Sequence, residues 1–153
     1  MLRFIACLML AALALLTRSA LADDAVEYNA ELAAALGADA YGMRPYVMAM
    51  LKAGPNPPDD PAQAAEVQAG HMAHIRQLAE AGQLVLAGPY MDDGAVRGLF
   101  VFATDDMDQA RAWTEADPAV QAGLLAMELR PWYGSAALMQ VNAIHASIAR
   151  EQP

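Results

Sequence analysis

The chain has 153 residues, 57% of them hydrophobic, with 9 basic and 18 acidic side chains and a net charge of −9. That is the length of one domain with an ordinary core, and its negative field repels phosphate backbones and anionic headgroups, which argues against nucleic-acid and membrane-surface partners. A single cysteine excludes an internal disulfide and a thiolate metal cluster.

The N-terminus reads as an export signal. Arg3 supplies the positive start, Ile5 to Leu16 is an uncharged apolar run, and Ala20-Leu21-Ala22 is a small-x-small cleavage site followed by Asp23-Asp24. The run is 12 residues long, short of the roughly 20 that cross a bilayer as a helix. Cleavage after Ala22 is therefore expected, with no membrane anchor left. Cys7 is too far from that site for a lipid attachment. Processing leaves 131 residues and takes the net charge to −11, because Arg3 and Arg18 depart with the signal. The only cysteine departs too, so the mature protein has no thiol nucleophile. Its expected place is the periplasm or the medium.

Residues 23–45 form an N-terminal extension, with a short Ala-rich helix from Asp24 to Leu36 stopped by Gly37. Tyr46 to Lys52 alternates as a strand. Gly54-Pro55-Asn56-Pro57-Pro58 must be loop. Asp60 caps a long helix that starts at Pro61 and ends at Ala81 before Gly82. Leu84 to Ala87 is a short strand into Gly88-Pro89, and Asp92-Asp93-Gly94 is a hairpin-type turn. Arg97 to Ala103 is the next strand. Asp105 or Asp106 caps a helix over Met107 to Ala116, and Asp117-Pro118 opens a helical turn ending at Gly123. Leu124 to Arg130 is the last strand, stopped by Pro131. From Gly134 onward a C-terminal extension carries a helix over Ala136 to Arg150. The order βαββαβ between flanking helices is the ferredoxin-like α+β pattern.

Both faces of this sheet are apolar. Met48 and Met50 oppose Val47, Ala49 and Leu51; Leu99 and Val101 oppose Phe100 and Phe102. Two helices cover one face only, so a second cover is required. A second copy of the chain is the simplest cover, and the terminal helices are the alternative.

Three histidines survive processing: His71, His74 and His145. On the long helix, Ala64, Val67, Ile75 and Leu78 form an apolar stripe with His71 near its centre and His74 at its edge. A titratable ring on a buried stripe needs a partner; a backbone carbonyl is the plain choice. Asp117, followed by Pro118, is explained locally as an ordinary helix cap. His71 and His74 at i, i+3 share a helix face, but no third ligand lies nearby in sequence, so no metal site is assigned. Glu128 and Arg130 share a strand face as a solvated or dimer-rim pair. The eight mature methionines suit adaptable packing. No phosphate loop, dinucleotide fingerprint or nucleophile elbow is present, and no cofactor is implied.

Taken together, His71-Met72-Ala73-His74-Ile75, Leu78, Gly82, Leu84 and Ala87-Gly88-Pro89, then Ala116-Asp117-Pro118, Gly123 and the strand into Pro131, resemble the YCII-related proteins. The resemblance covers residues 46–133. It implies a ferredoxin-like protomer that pairs into a dimeric α+β barrel, with extra N- and C-terminal helices here. It matches the family's motif histidine to His71 and its aspartate to Asp117, a His–Asp dyad. The wider superfamily includes lactone isomerases and ring-dehalogenating lyases that act by proton transfer. His71 would be the general acid or base, and Asp117 would orient and charge-balance it. His74, Tyr90, Arg97 and Trp132 would line the substrate pocket. The extensions and the proline-rich insertion depart from short family members, which leaves the substrate open.

Two readings of function follow: a cofactor-independent isomerase or lyase on a small cyclic or aromatic compound, or a non-catalytic small-ligand-binding or accessory protein with a dimeric barrel pocket. A purely structural domain is the third. The enzyme reading requires His71 and Asp117 within hydrogen-bond reach at the wall of an accessible cavity.

Overall fold

A computed structural model describes residues 26–151; the expected export signal lies outside them. The elements are α1 (Ala30–Ala35), β1 (Met43–Ala53), α2 (Pro61–Glu80), β2 (Leu84–Pro89), β3 (Val96–Phe102), α3 (Met107–Glu115), α4 (Pro118–Gln121), β4 (Leu125–Ser135), a 3-10 helix (Ala136–Gln140) and α5 (Val141–Ile148). Among the described residues, no helix is long and apolar enough to cross a membrane.

Short polar side chains set where the helices begin. Asn29, Asp60, Asp106 and Asp117 each accept a backbone N–H of the helix that follows. Positive φ at Gly37, Gly82 and Gly123 ends three of those helices. With Asn29 as its cap, α1 starts at Ala30, later than the sequence suggests, and residues 26–29 before it are not helical.

The sheet order is β2-β3-β1-β4 with every neighbour antiparallel. This is the ferredoxin-like α+β arrangement. One face meets α2 and α3. There Val47, Ala49, Leu51, Leu84, Phe100 and Phe102 are buried against Leu78 and Ala110, with Ile75 and Trp113 packed beside them. Each fully buried Leu or Phe of this kind contributes about 1.5–3 kcal/mol.

The second face is covered over part of its area by the chain's own C-terminus. Tyr46, Val85 and Val101 pack against Leu138 and Met139 of the 3-10 helix. The Tyr46 hydroxyl donates to the Ser135 carbonyl at 2.9 Å, and burial pushes its phenol above the usual range. The Asn142 amide donates to the Leu84 carbonyl at 2.7 Å and to that of Ala79 at 3.4 Å. Met48 and Met50, farther along the same face, stay half-buried. Beside them Glu128 pairs with Lys52 and with Arg130, which holds its carboxyl below the usual range.

Three expected boundaries are corrected. β4 does not stop at Pro131 but runs on to Ser135, with Pro131 opposite Val47. β4 is an edge strand, and an edge position tolerates a residue that has no N–H to give. The C-terminal helix is split: the Ser135 side chain accepts from Ala137 N–H and starts a 3-10 segment before α5. Gly94 lacks the positive φ of a tight hairpin; its N–H bonds Asp92 at 3.2 Å within a longer loop.

The proline-rich loop is pinned to the start of β4. Gly54 N–H donates to the Leu124 carbonyl at 2.8 Å and Asn56 N–H to that of Gly123 at 3.1 Å. A Cβ on Gly54 would sit 2.1 Å from the Gly123 carbonyl oxygen, whereas one on Gly88 would meet nothing within 4 Å. In urea denaturation, Gly54→Ala is expected to lose about 1–3 kcal/mol and Gly88→Ala to stay within about 0.5 kcal/mol of the parent. Equal stability of the two variants would show that the loop is not pinned.

Candidate active site

Helix α2 carries His71, and the loop before α4 carries Asp117. Two local features bring them together. Gly70 lets α2 approach α4: a Cβ there would lie 3.1 Å from Pro118. A glycine inside a helix is unfavourable by about 1 kcal/mol relative to alanine, so its place beside His71 has a packing reason. Asp117 takes extended backbone angles as N-cap, and its Oδ1 accepts the Ala119 N–H at 2.9 Å. The cap turns the carboxylate inward, where it is fully buried.

His71 Nδ1 meets both oxygens of that carboxylate, Oδ2 at 2.8 Å and Oδ1 at 3.0 Å. The ring is 7% exposed and stacks on Phe100, with centroids 5.9 Å apart and planes 16° from parallel. A carboxylate only accepts, so Nδ1–H donates to it, and in the neutral ring the lone pair is then at Nε2. The plain alternative, a core histidine on a backbone carbonyl, does not describe His71. It describes His74, whose Nε2 lies 2.9 Å from the Trp113 carbonyl. The two rings of the His-x-x-His pair thus serve different partners, and His74 links α2 to α3.

The remaining expected pocket residues are dispersed. Arg97 is exposed and lines a cleft of about 400 Å³ with Ala53, Pro57, Gln68, Leu124 and Leu125. Tyr90 is half-exposed, and its N–H donates to the Arg97 carbonyl at 2.9 Å. Trp132 lies elsewhere, in a cleft of about 250 Å³ with Pro45, Tyr46, Asp105 and Tyr133. Neither cleft is lined by His71 or Asp117, so of the enzyme reading's two requirements the hydrogen bond is met and a place at the wall of either cleft is not. Gln68, one helical turn before His71, lines the larger one. Gln68 and Gly70 were not singled out in the sequence. Gly70 carried a usable signal, an isolated glycine within a helical pattern.

An antiparallel sheet in the order β2-β3-β1-β4, with a buried His–Asp pair under its helices, defines a ferredoxin-like α+β protein. Residues 46–133 match the model of the YCII-related domain. The chain belongs to that family. Among curated proteins, none matches it in sequence. Among solved structures, it is similar to 5-chloro-2-hydroxyhydroquinone dehydrochlorinase from Burkholderia phenoliruptrix AC1100, in complex with 2,5-dihydroxybenzoquinone. The two share 18% identity at a TM-score of 0.43, over 56% of this chain and 92% of that one.

Asp117 serves as cap and as histidine partner, and two substitutions separate these roles. Asp117→Ala removes both and is expected to lose about 2–4 kcal/mol in chemical denaturation, from the lost cap and the unpaired buried imidazole. Asp117→Asn keeps one oxygen that can cap, puts an NH2 in place of the second, and is expected to lose at most about 1–2 kcal/mol. Equal losses would mean that the charge, not the cap, carries the stability.

Proposed function

We propose that this YCII-related protein is a cofactor-independent enzyme of isomerase or lyase type that moves a proton on a small cyclic or aromatic compound. The observation that carries the reading is the buried contact between His71 Nδ1 and the Asp117 carboxylate. His71 takes a proton from the substrate at Nε2 and returns it at another atom. The imidazolium formed between those steps is stabilised by the carboxylate at Nδ1, which also fixes the ring's tautomer and orientation. Asp117 stays in place because the Ala119 N–H holds it from the other side. Proton transfer through an imidazole needs no cofactor.

A second reading is favoured by the low exposure of His71: the protein binds a ligand without turning it over, and the pair only locks α2 to α4. A panel of small lactones and of hydroxylated or halogenated rings separates the two. Turnover of one member that falls about 10²–10⁴-fold in His71→Ala, with an unchanged far-UV spectrum, is the enzyme's result. Thermal stabilisation without turnover, or turnover that survives His71→Ala, is the binder's.

The same proposal takes the protein as exported and as a homodimer. Export is supported by the N-terminal pattern ending at Ala22, and the dimer by the half-buried Met48 and Met50 face. Material recovered from the periplasm of an expressing cell is expected to begin at Asp23 by intact mass and to scatter light as a dimer. Met50→Glu is expected to give a folded monomer. A chain that retains residues 1–22 would end the export proposal, and a monomeric parent protein would end the dimer proposal.

A further inference from the structure

The larger cleft has a composition that points to a ligand class. Its apolar walls come from three places: Ala53 at the end of β1, Pro57 of the pinned loop, and Leu124 and Leu125 at the start of β4. Its polar groups are Gln68 of α2 and Arg97 of β3. Its volume, about 400 Å³, lies within the ~300–1,000 Å³ of small-molecule sites.

Arg97 gives the cleft its sign. The chain has 18 acids against 9 bases, and several of its cations are occupied. Lys52 and Arg130 both hold Glu128. Arg44 lies 5.3 Å over the Tyr46 ring and donates to the Leu36 carbonyl at 3.0 Å. The Arg97 guanidinium has no ion-pair or hydrogen-bond partner among the described residues. A guanidinium is a rigid fork of donors matched to a carboxylate. The protein's overall field disfavours anions, so an anion's gain is concentrated where a cation is left unneutralised beside apolar walls.

We infer that this cleft binds a small aromatic carboxylate, with the carboxylate on Arg97, the ring against Pro57, Leu124 and Leu125, and a ring substituent facing the Gln68 amide. This rests on the reading of His71 as the proton-transfer group. Gln68 precedes His71 by three residues, so the two project from neighbouring positions of one helix face. The cleft is not itself lined by His71, and Gln68 is its link to the helix that carries the imidazole.

Titration calorimetry of the purified protein with salicylate, and with neutral salicylamide, tests the inference. Salicylate is expected to bind in the millimolar range or tighter, and salicylamide about tenfold more weakly. Arg97→Gln is expected to weaken salicylate about tenfold and leave salicylamide unchanged, while Arg97→Lys retains part of the preference. No salicylate binding by the parent protein, or equal binding by Arg97→Gln, overturns the site. His71→Asn keeps the two readings apart. Arg97-dependent binding with turnover untouched by His71→Asn would sink the enzyme reading and leave the site standing. Turnover that needs His71 without any binding of salicylate would do the reverse.

Discussion

The Asp117 carboxylate is held from two sides at once. The Ala119 N–H fixes it as the cap of α4, and His71 Nδ1 fixes it to α2. Burying a carboxylate is costly unless such partners replace water, and buried hydrogen-bonded pairs of this kind penalise removal of either member. The constraint runs outward from there. Gly70 must stay small so that α2 reaches Pro118, and Phe100 must offer its ring as the floor under the imidazole. α2 cannot slide along the sheet without breaking the pair. The contact that orders the candidate chemistry therefore also sets the register between helix and sheet.

Much of this was legible in the sequence, for identifiable reasons. Caps and stops are local, so Asp60, Pro61 and Gly82 bounded α2 to within a residue. Alternation is local too, and it assigned Phe100 and Phe102 to one face and Leu99 and Val101 to the other. The apolar stripe put His71 inside, but a stripe cannot name a partner 46 positions away in sequence. Locally, Asp117 read as a cap. That is correct and incomplete, because one of its oxygens serves both roles. The family resemblance supplied the link that periodicity lacked.

What stayed illegible depends on long-range assembly. Pro131 looks like a strand terminator until the strand order makes β4 an edge. The C-terminal segment reads as one helix until the Ser135 cap starts a 3-10 segment against the sheet. Clefts are harder still. Gln68 and Arg97 belong to different elements, and the space they share is walled by the end of β1, the pinned loop and the start of β4. Trp132 lines the smaller cleft and also folds over Gly134, where a Cβ would lie 2.3 Å from its ring.

The Asn142 side chain has a consequence for where the molecule can be divided. It hydrogen-bonds the carbonyl of Leu84, the first residue of β2, and reaches that of Ala79 in the last turn of α2. The family match ends at residue 133, yet the helix that carries His71 is tied down at its far end by a residue beyond that limit. The appended tail also supplies the acceptor for the Tyr46 hydroxyl and the cover for Val85 and Val101. The boundary of the family domain is thus not the boundary of the folding unit. In this chain the extension has become part of the core, and a segment cut at the family limits would be a different and less complete object.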